Sequence, residues 1–409
     1  MVTYPTGWTE YSFNDFLKIK RGASPRPIDY YVTESATGVN WIKIGDAPKY
    51  GKYIMATKEK ITESGAAQSV RVYPGDFLLS NSMSFGRPYI LGVEGCIHDG
   101  WLRLFEFQNT ADDDYLYYLL SSDSVQNQYQ SYAAGSGVQN LNKEVVKKVV
   151  VCLPGLPEQK AIAETLSCID THIANLTELI EKKKAIRDAA LEDLLSGSTR
   201  LVGFSGEWEE YSFDDYFTLL PNNTLSREKL SERGTIGNIH YGDVLIKYHN
   251  NVTDKDDIPR IKADIDTRSL RLLQSGDIII ADTAEDETVG KAIQICDVSI
   301  PLVGGLHTIV CRPNYDTALG YLGYYINSKN YHNQLFPHIT GIKVSSISKK
   351  AIKTTVLNLP KEIDEQKAIV EVLSSLDAEI TSLEDEKDKM LQIKAGAMAD
   401  LLTGRVRLM

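Results

Sequence analysis

From Glu158 to Ser196 the chain contains neither proline nor glycine. Its apolar residues recur in steps of four and three: Ile162, Leu166, Ile169, Ile173, Leu176 and Ile180. Steps averaging about 3.5 residues describe the seam of a coiled coil. The same spacing returns near the C-terminus as Ile369, Leu373, Leu376, Ile380 and Leu383, with Met390, Ala397 and Leu401 beyond. Lys387 and Lys394 stand where a strict heptad would be apolar, and polar seam positions can fix register at some cost in stability. Each run starts at a proline or an acidic stretch (Pro157-Glu158; Asp364-Glu365), which suits the positive end of a helix. Each stops at a glycine, Gly197 or Gly404, as helices often do. The pattern predicts two helices of about 39 residues, rods of roughly 58 Å at 1.5 Å per residue.

The two helical segments are copies. Glu158-Gln159-Lys160-Ala161-Ile162 returns as Glu365-Gln366-Lys367-Ala368-Ile369, and the match runs without a gap to Arg200-Leu201 and Arg407-Leu408. Nearly half of the aligned positions are identical, far above chance. The remainder repeats more loosely. Trp8, Glu10, Tyr11, Ser12, Phe13 and Asp15 return as Trp208, Glu210, Tyr211, Ser212, Phe213 and Asp215, and Gly75-Asp76 returns as Gly276-Asp277. The organisation is a globular domain over 1–155, a helix over 156–200, a second globular domain over 201–360 and a helix over 361–409. The copies diverge most between Gly22 and Gly75 and between Leu219 and Gly276. A chain that keeps two copies of a frame and varies the inserts is built to read two different things. Each helix could pack on its own domain, or the two could pack on each other. Copies that meet through one shared surface have pseudo-twofold symmetry. The helices would then form an antiparallel coiled coil that acts as a ruler.

Within the globular segments, Asp76–Leu79 and Asp277–Ile280 read as buried strands. Tyr115–Leu120 and Tyr321–Ile326 read as helices. Val145–Leu153 and Ile352–Leu359 read as strands leading into the long helices. The fold class is therefore α+β, with two pseudo-repeated globular domains and two long helices.

Composition narrows the function. The net charge of −11 runs against the basic footprint usual for nucleic-acid binding. Most of the excess lies in the helices, however, and near-neutral globular domains can still present a basic face. The five cysteines are far apart with no C-x-x-C pair. Free thiols in a reducing compartment, and no metal site, are expected. Met1–Phe13 lacks a signal-peptide pattern, and no apolar run approaches the ~20 residues needed to span a bilayer. A soluble, cytoplasmic protein is expected. No G-x-x-x-x-G-K-[ST] or Pro-Pro segment occurs, so neither an ATP-driven motor nor an adenine methyltransferase is encoded. His98, His307 and His338 form no recognisable constellation, and structural roles are expected for them.

Several loops carry chemistry suited to DNA. Lys20, Arg21 and Arg26 lie in a basic, turn-rich stretch; Asn81, Ser82 and Arg87 follow a strand; Gln139 and Asn140 close a glycine-rich segment. Lys291, Thr340, Gly341 and Lys343 occupy the equivalent places in the second copy. Asn and Gln can pair with adenine edges and Arg with guanine, while Lys, Arg and backbone amides suit phosphates.

These residues also carry a family resemblance. Leu153-Pro154-Gly155-Leu156-Pro157-Glu158-Gln159-Lys160, leading into a long helix that ends Leu-Leu-Ser-Gly, resembles the central conserved region of type I restriction–modification specificity subunits. Leu359-Pro360 and Glu365-Gln366 resemble its C-terminal counterpart. Gly75-Asp76, His98-Asp99-Gly100-Trp101 and Gly137-Val138-Gln139-Asn140-Leu141 resemble motifs of that family's target-recognition domains. In the second domain Gly341-Ile342-Lys343-Val344-Ser345-Ser346-Ile347 replaces the amide-rich loop. The resemblance implies a non-catalytic subunit whose two domains each read half of an asymmetric site in double-stranded DNA. It implies two docked methyltransferase subunits, which carry the S-adenosylmethionine, no cofactor on this chain, and motor-nuclease subunits where the complex cuts. The competing reading is a structural or regulatory coiled-coil protein that binds no DNA.

Overall fold

The computed structural model describes residues 6–48, 51–81, 85–133, 141–341 and 344–408, without the side chain of Ala133. Contacts divide the chain into two compact units, residues 1–177 with 385–409 and residues 178–384. Each unit therefore holds one globular domain with half of each long helix.

The first unit contains two five-stranded sheets. One orders Lys18–Arg21, Trp101–Phe105, Phe77–Ser80, Pro88–Leu91 and Tyr53–Ile54; the other orders Val32–Thr33, Glu59–Ile61, Val39–Ile42, Gly95–Ile97 and Val70–Val72. The second unit repeats the plan. A five-stranded sheet orders Phe217–Leu220, Thr308–Pro313, Ile278–Ala281, Ala292–Ile295 and Asn251–Val252, and a four-stranded sheet joins three strands of the diverged insert to Leu302–Gly304. The strands after Gly75-Asp76 and Gly276-Asp277 are buried along their whole length, as their unbroken apolar runs require. The expected helices are Asp113–Ser121 and Tyr321–Asn327.

Two of the expected strands are shorter than read. Val145 lies in a helical turn, Lys143–Lys147, because the Asn142 side chain accepts the Val145 N–H; the strand is Val150–Leu153. The second copy does the same with another cap. The Ser348 hydroxyl accepts the Ala351 N–H of the turn Lys349–Ile352, and the strand is Val356–Pro360. A short apolar run cannot distinguish these alternatives; the polar cap before it decides.

The long helices run from Leu156 to Ser196 and from Ile363 to Leu401. Gly197 and Gly404 follow them with φ of +73° and +71°, a left-handed closure that favours glycine. Their pairing is antiparallel in each unit. In the first, Glu158 meets Arg407, Asp170 meets Lys394 and His172 meets Glu386. In the second, Lys183 meets Glu379, Lys184 meets Glu384, Arg187 meets Asp377 and Arg200 meets Glu365. From 158 with 407 to 172 with 386, and from 183 with 379 to 200 with 365, numbers rise along one helix as they fall along the other. Lys394, which breaks the apolar seam, pairs its charge with Asp170 at 2.6 Å.

The seam residues divide by location. Ile162 and Leu166 are fully buried in the first domain's core, in one cluster with Phe77, Leu104 and Tyr115, and with Leu401, the last residue of the other helix, and Leu402 just after it. Ile369 and Leu373 occupy the second domain's core with Leu194 and Leu195. Leu176 and Ile380 are buried along the paired stretch, and Ile169, Ile173, Leu376 and Leu383 are half-buried. The helix ends thus pack on a domain while the middle stretches pair. At roughly 1.5–3 kcal/mol per buried aliphatic side chain, the ends hold each domain to the helices.

Two buried glutamines fix that junction. Gln159 accepts the Asp112 N–H at 2.9 Å and donates to the Thr110 and Pro154 carbonyls. Gln366 accepts the Ala318 N–H at 2.8 Å and donates to the Pro360 carbonyl. Tyr118 donates to Asp170 at 2.8 Å and Tyr324 to Asp377 at 2.7 Å, so each domain grips a helix at the same repeated aspartate. Among the described residues no helix is long and apolar enough to cross a membrane.

Candidate nucleic-acid interface

In the first domain the basic loop and Asn81 meet at the turn His98–Trp101. The basic loop leaves its strand at Arg21. The Gly22 N–H donates to the Trp101 carbonyl at 2.8 Å and the Ala23 N–H to the Ile97 carbonyl at 3.1 Å. A Cβ on Gly22 would stand 2.0 Å from the His98 carbonyl oxygen, so only glycine permits this approach. Arg21 Nε and Asn81 Nδ2 both donate to the Asp99 carbonyl, at 2.9 and 2.8 Å. The Ser24 hydroxyl donates to the Asp99 carboxylate at 2.9 Å, and Arg26 stands 3.6 Å from its other oxygen. Burial pushes the Asp99 carboxyl up, but hydrogen bonds from Ser24 and its own backbone, with the charges of His98 and Arg21, outweigh that and hold it below its ordinary value.

Asn81 is the hinge of the second loop. Its N–H donates to the Gly100 carbonyl at 3.0 Å, and its carbonyl accepts the Leu141 N–H at 3.0 Å, where the glycine-rich segment ends. Arg87 closes the same loop against Ser80 and lays its guanidinium over the Tyr89 ring, 5.2 Å from the centroid. Lys20 and Arg21 are exposed on the edge strand of the sheet. The structure therefore brings Arg21, Arg26 and Asn81 to one turn, with Lys20, on the strand leading to it, opposite Arg103, and Arg87 bonded to Ser80. Ser82, Gln139 and Asn140 lie outside the described residues.

The second domain repeats the frame with other side chains. The Asp282 N–H donates to the His307 carbonyl at 3.1 Å, and the Asp282 carbonyl accepts the Ile347 N–H at 2.9 Å. These are the bonds of Asn81 with Gly100 and Leu141. Asn222 Nδ2 donates to the Gly305 carbonyl at 3.0 Å and Asn223 Nδ2 to the Gly304 carbonyl at 2.9 Å, tying the first loop to the turn before Thr308. Thr283 lies in a short strand paired with Ser346, and exposed Thr340 bridges to Ser346 through both backbone groups. Lys343 lies outside the described residues.

Lys291 holds the place of Arg87: its carbonyl accepts the Ala281 N–H at 2.9 Å, as that of Arg87 accepts the Ser80 N–H at 3.1 Å. Its ammonium, however, is turned inward onto the Leu245 and Tyr248 carbonyls at 3.0 and 2.7 Å, and burial lowers its pKa. The charge is committed to the fold. Ser24, Asp99, Asn222, Asn223, Asp282 and Thr283 were not nominated from sequence, and for His307 the sequence reading expects a structural role. Only Asp99 carried a signal, through its place in His98-Asp99-Gly100-Trp101. Among the described residues no cluster of His, Cys, Asp and Glu is placed to hold a metal ion, and the five cysteines are free.

Comparison with known proteins agrees with this doubled frame. The family model for the type I restriction modification DNA specificity domain matches twice, over residues 5–185 and 205–392. The type I restriction enzyme MjaVIII specificity subunit of Methanocaldococcus jannaschii is 24% identical, over 98% of this chain and 94% of its own. The EcoKI specificity subunit of Escherichia coli is 21% identical, over 95% of this chain and 86% of its own. Among solved structures, a chain from a study of complex assembly and conformational transition of the type I R-M system superposes with a TM-score of 0.62 at 14% identity, covering 99% of this chain and 100% of its own. The type I restriction–modification S subunit from M. genitalium superposes with a TM-score of 0.55 at 17% identity, covering 96% of each chain. The chain belongs to the family of type I restriction–modification DNA specificity subunits and carries two copies of its specificity domain.

Proposed function

We propose that this chain reads a two-part, asymmetric site in double-stranded DNA, each domain reading one half through its loop cluster. The single observation that carries this reading is the repeated frame. Asn81 and Asp282 make the same two backbone bonds, yet the side chains around them differ: Arg21, Ser24 and Asp99 in one domain, Asn222, Thr283 and His307 in the other. One backbone platform presenting two sets of donors and acceptors suits two different base sequences. Of the residues nominated from sequence, Lys20, Arg21, Arg26, Arg87 and Thr340 remain candidate contacts; Asn81 is buried with its amide on the Asp99 carbonyl and serves the platform, and Ser82, Gln139, Asn140 and Lys343 are candidates from the sequence alone.

The chain itself performs no chemistry in this proposal. Two methyltransferase subunits dock on the paired helices, bring the S-adenosylmethionine and flip the target adenine from the duplex. Motor-nuclease subunits join where the complex cuts. The setting is the cytoplasm. The test is methylation-sensitive sequencing of a host carrying the whole operon. Replacing residues 1–150 with those of a relative should change one half of the methylated motif and leave the other. A change in both halves, or a motif without two parts, would refute the proposal.

A further inference from the structure

His307 is one of three non-glycine residues with positive φ among those described, at +55°. The other two, Glu106 and Asp297, lie outside the loop clusters. His307 occupies the place of Gly100, since both carbonyls accept the N–H of the residue that follows the central strand, but of the two only His307 has a positive φ. A left-handed residue closing a tight turn is cheapest as glycine, and glycines precede it at 304 and 305. The histidine has no evident part in the core: its side chain is 49% exposed. Non-glycine residues held in this backbone region point to a function for the side chain.

The ring is aimed. Nδ1 lies 3.3 Å from Asp282 Oδ1 and 3.4 Å from Thr283 Oγ1, and the ring stands edge-on to Tyr241 with centroids 5.4 Å apart. A carboxylate only accepts, so Nδ1 carries the hydrogen, and with one proton on the ring Nε2 is left as the acceptor. Among the described residues Nε2 has no hydrogen-bond partner.

We propose that His307 is a specificity-determining residue of the second domain, accepting at Nε2 a hydrogen bond from an exocyclic amino group, adenine N6 or cytosine N4, in the half-site that domain reads. Asp282 and Thr283 are the positioning residues that set the ring and its tautomer. The inference rests on the two-part reading above and adds the chemistry of one base position to it.

The test compares the complex assembled from the parent chain with one carrying His307→Gly. The glycine relieves the backbone strain, so its thermal midpoint should equal or exceed the parent's, and its first half-site should be unchanged. The second half-site should lose discrimination at one position. At that position, purine in place of adenine, or 2-pyrimidinone in place of cytosine, removes only the amino group. This should weaken the parent by roughly fivefold, the worth of one hydrogen bond, and leave the variant unaffected. A parent that methylates no two-part motif defeats the underlying reading. A parent with a two-part motif that the variant reproduces at every base, or a variant that melts lower and loses both halves, overturns the role of His307 alone.

Discussion

Arg200 and Glu365 offer a quantitative test of what holds the repeated scaffold. The guanidinium meets the carboxylate through two bonds, Nε to Oε1 at 2.5 Å and Nη2 to Oε2 at 2.6 Å, and Nη2 also donates to the Gly206 carbonyl at 3.0 Å. The Glu365 side chain is 1% exposed and that of Arg200 is 27% exposed. Arg200→Ala therefore strands a carboxylate out of water, and breaking a buried pair from one side costs about 3–5 kcal/mol. Glu365 is the third residue of its helix, where the positive helix end offsets about 0.5 kcal/mol. The expected loss is about 3 kcal/mol. Adding Glu365→Gln to Arg200→Ala removes the stranded charge, so the double variant should regain about 1 kcal/mol. Its repeat partner, Arg407 with Glu158, is more open, at 36% and 7% exposure. Arg407→Ala should then cost less, about 2 kcal/mol. The assay is urea denaturation followed by tryptophan fluorescence, since Trp208 lies under the Arg200 guanidinium. An Arg200→Ala midpoint equivalent to less than about 0.5 kcal/mol, or a double variant less stable than Arg200→Ala, would refute the argument.

Two further outcomes test the scaffold's other jobs. Tyr118→Phe and Tyr324→Phe each remove a hydroxyl that donates to a carboxylate, Asp170 or Asp377; each should cost about 1.5–3 kcal/mol in the same denaturation assay, and two neutral results would mean that the aspartates do not grip the domains. The helices pass from one unit to the other after Thr177 and after Glu384; one extra heptad inserted at both points preserves the seam phase and adds about 10 Å if helical, so the methylated motif should gain about three base pairs between its halves at roughly 3.4 Å each, and an unchanged gap would exclude the helices as the ruler.

The scaffold was legible because it is written twice under strong constraint. Seam positions are spaced by helix geometry, so Ile162 and Ile369, Leu166 and Leu373 announce themselves. Pairing in the antiparallel sense could be argued from symmetry before any contact was seen. What the pattern could not show is that these four residues belong to domain cores rather than to the helix-to-helix stretch. Periodicity specifies a buried face but not its neighbour. The shortened strands have the same origin: Asn142 and Ser348 decide the matter through local capping, which an apolar run does not reveal. The loop residues were harder still. Lys291 stands in the place equivalent to Arg87, as the repeat implies, but two carbonyls that come from a distant segment take up its charge. His307 was passed over because a lone histidine carries no pattern, and its backbone conformation has none either.

The uneven divergence of the two halves has a physical cause in these bonds. Gln159 and Gln366 are almost wholly buried, and each satisfies backbone groups of its domain and of the strand that precedes its helix. Any other side chain there would leave buried donors and acceptors unpaired, at about 1–3 kcal/mol each. The buried Glu158 and Glu365 constrain their arginines in the same way. At the loop clusters the bonds shared by both domains are made instead by backbone groups, Asn81 with Gly100 and Leu141, Asp282 with His307 and Ile347, while the side-chain ties differ between them. Every residue except proline supplies those groups, so the side chains can change while the platform persists. The recognition loops can diverge where their frame rests on these backbone bonds, and the helices cannot where theirs rests on Gln159, Gln366, Glu158 and Glu365.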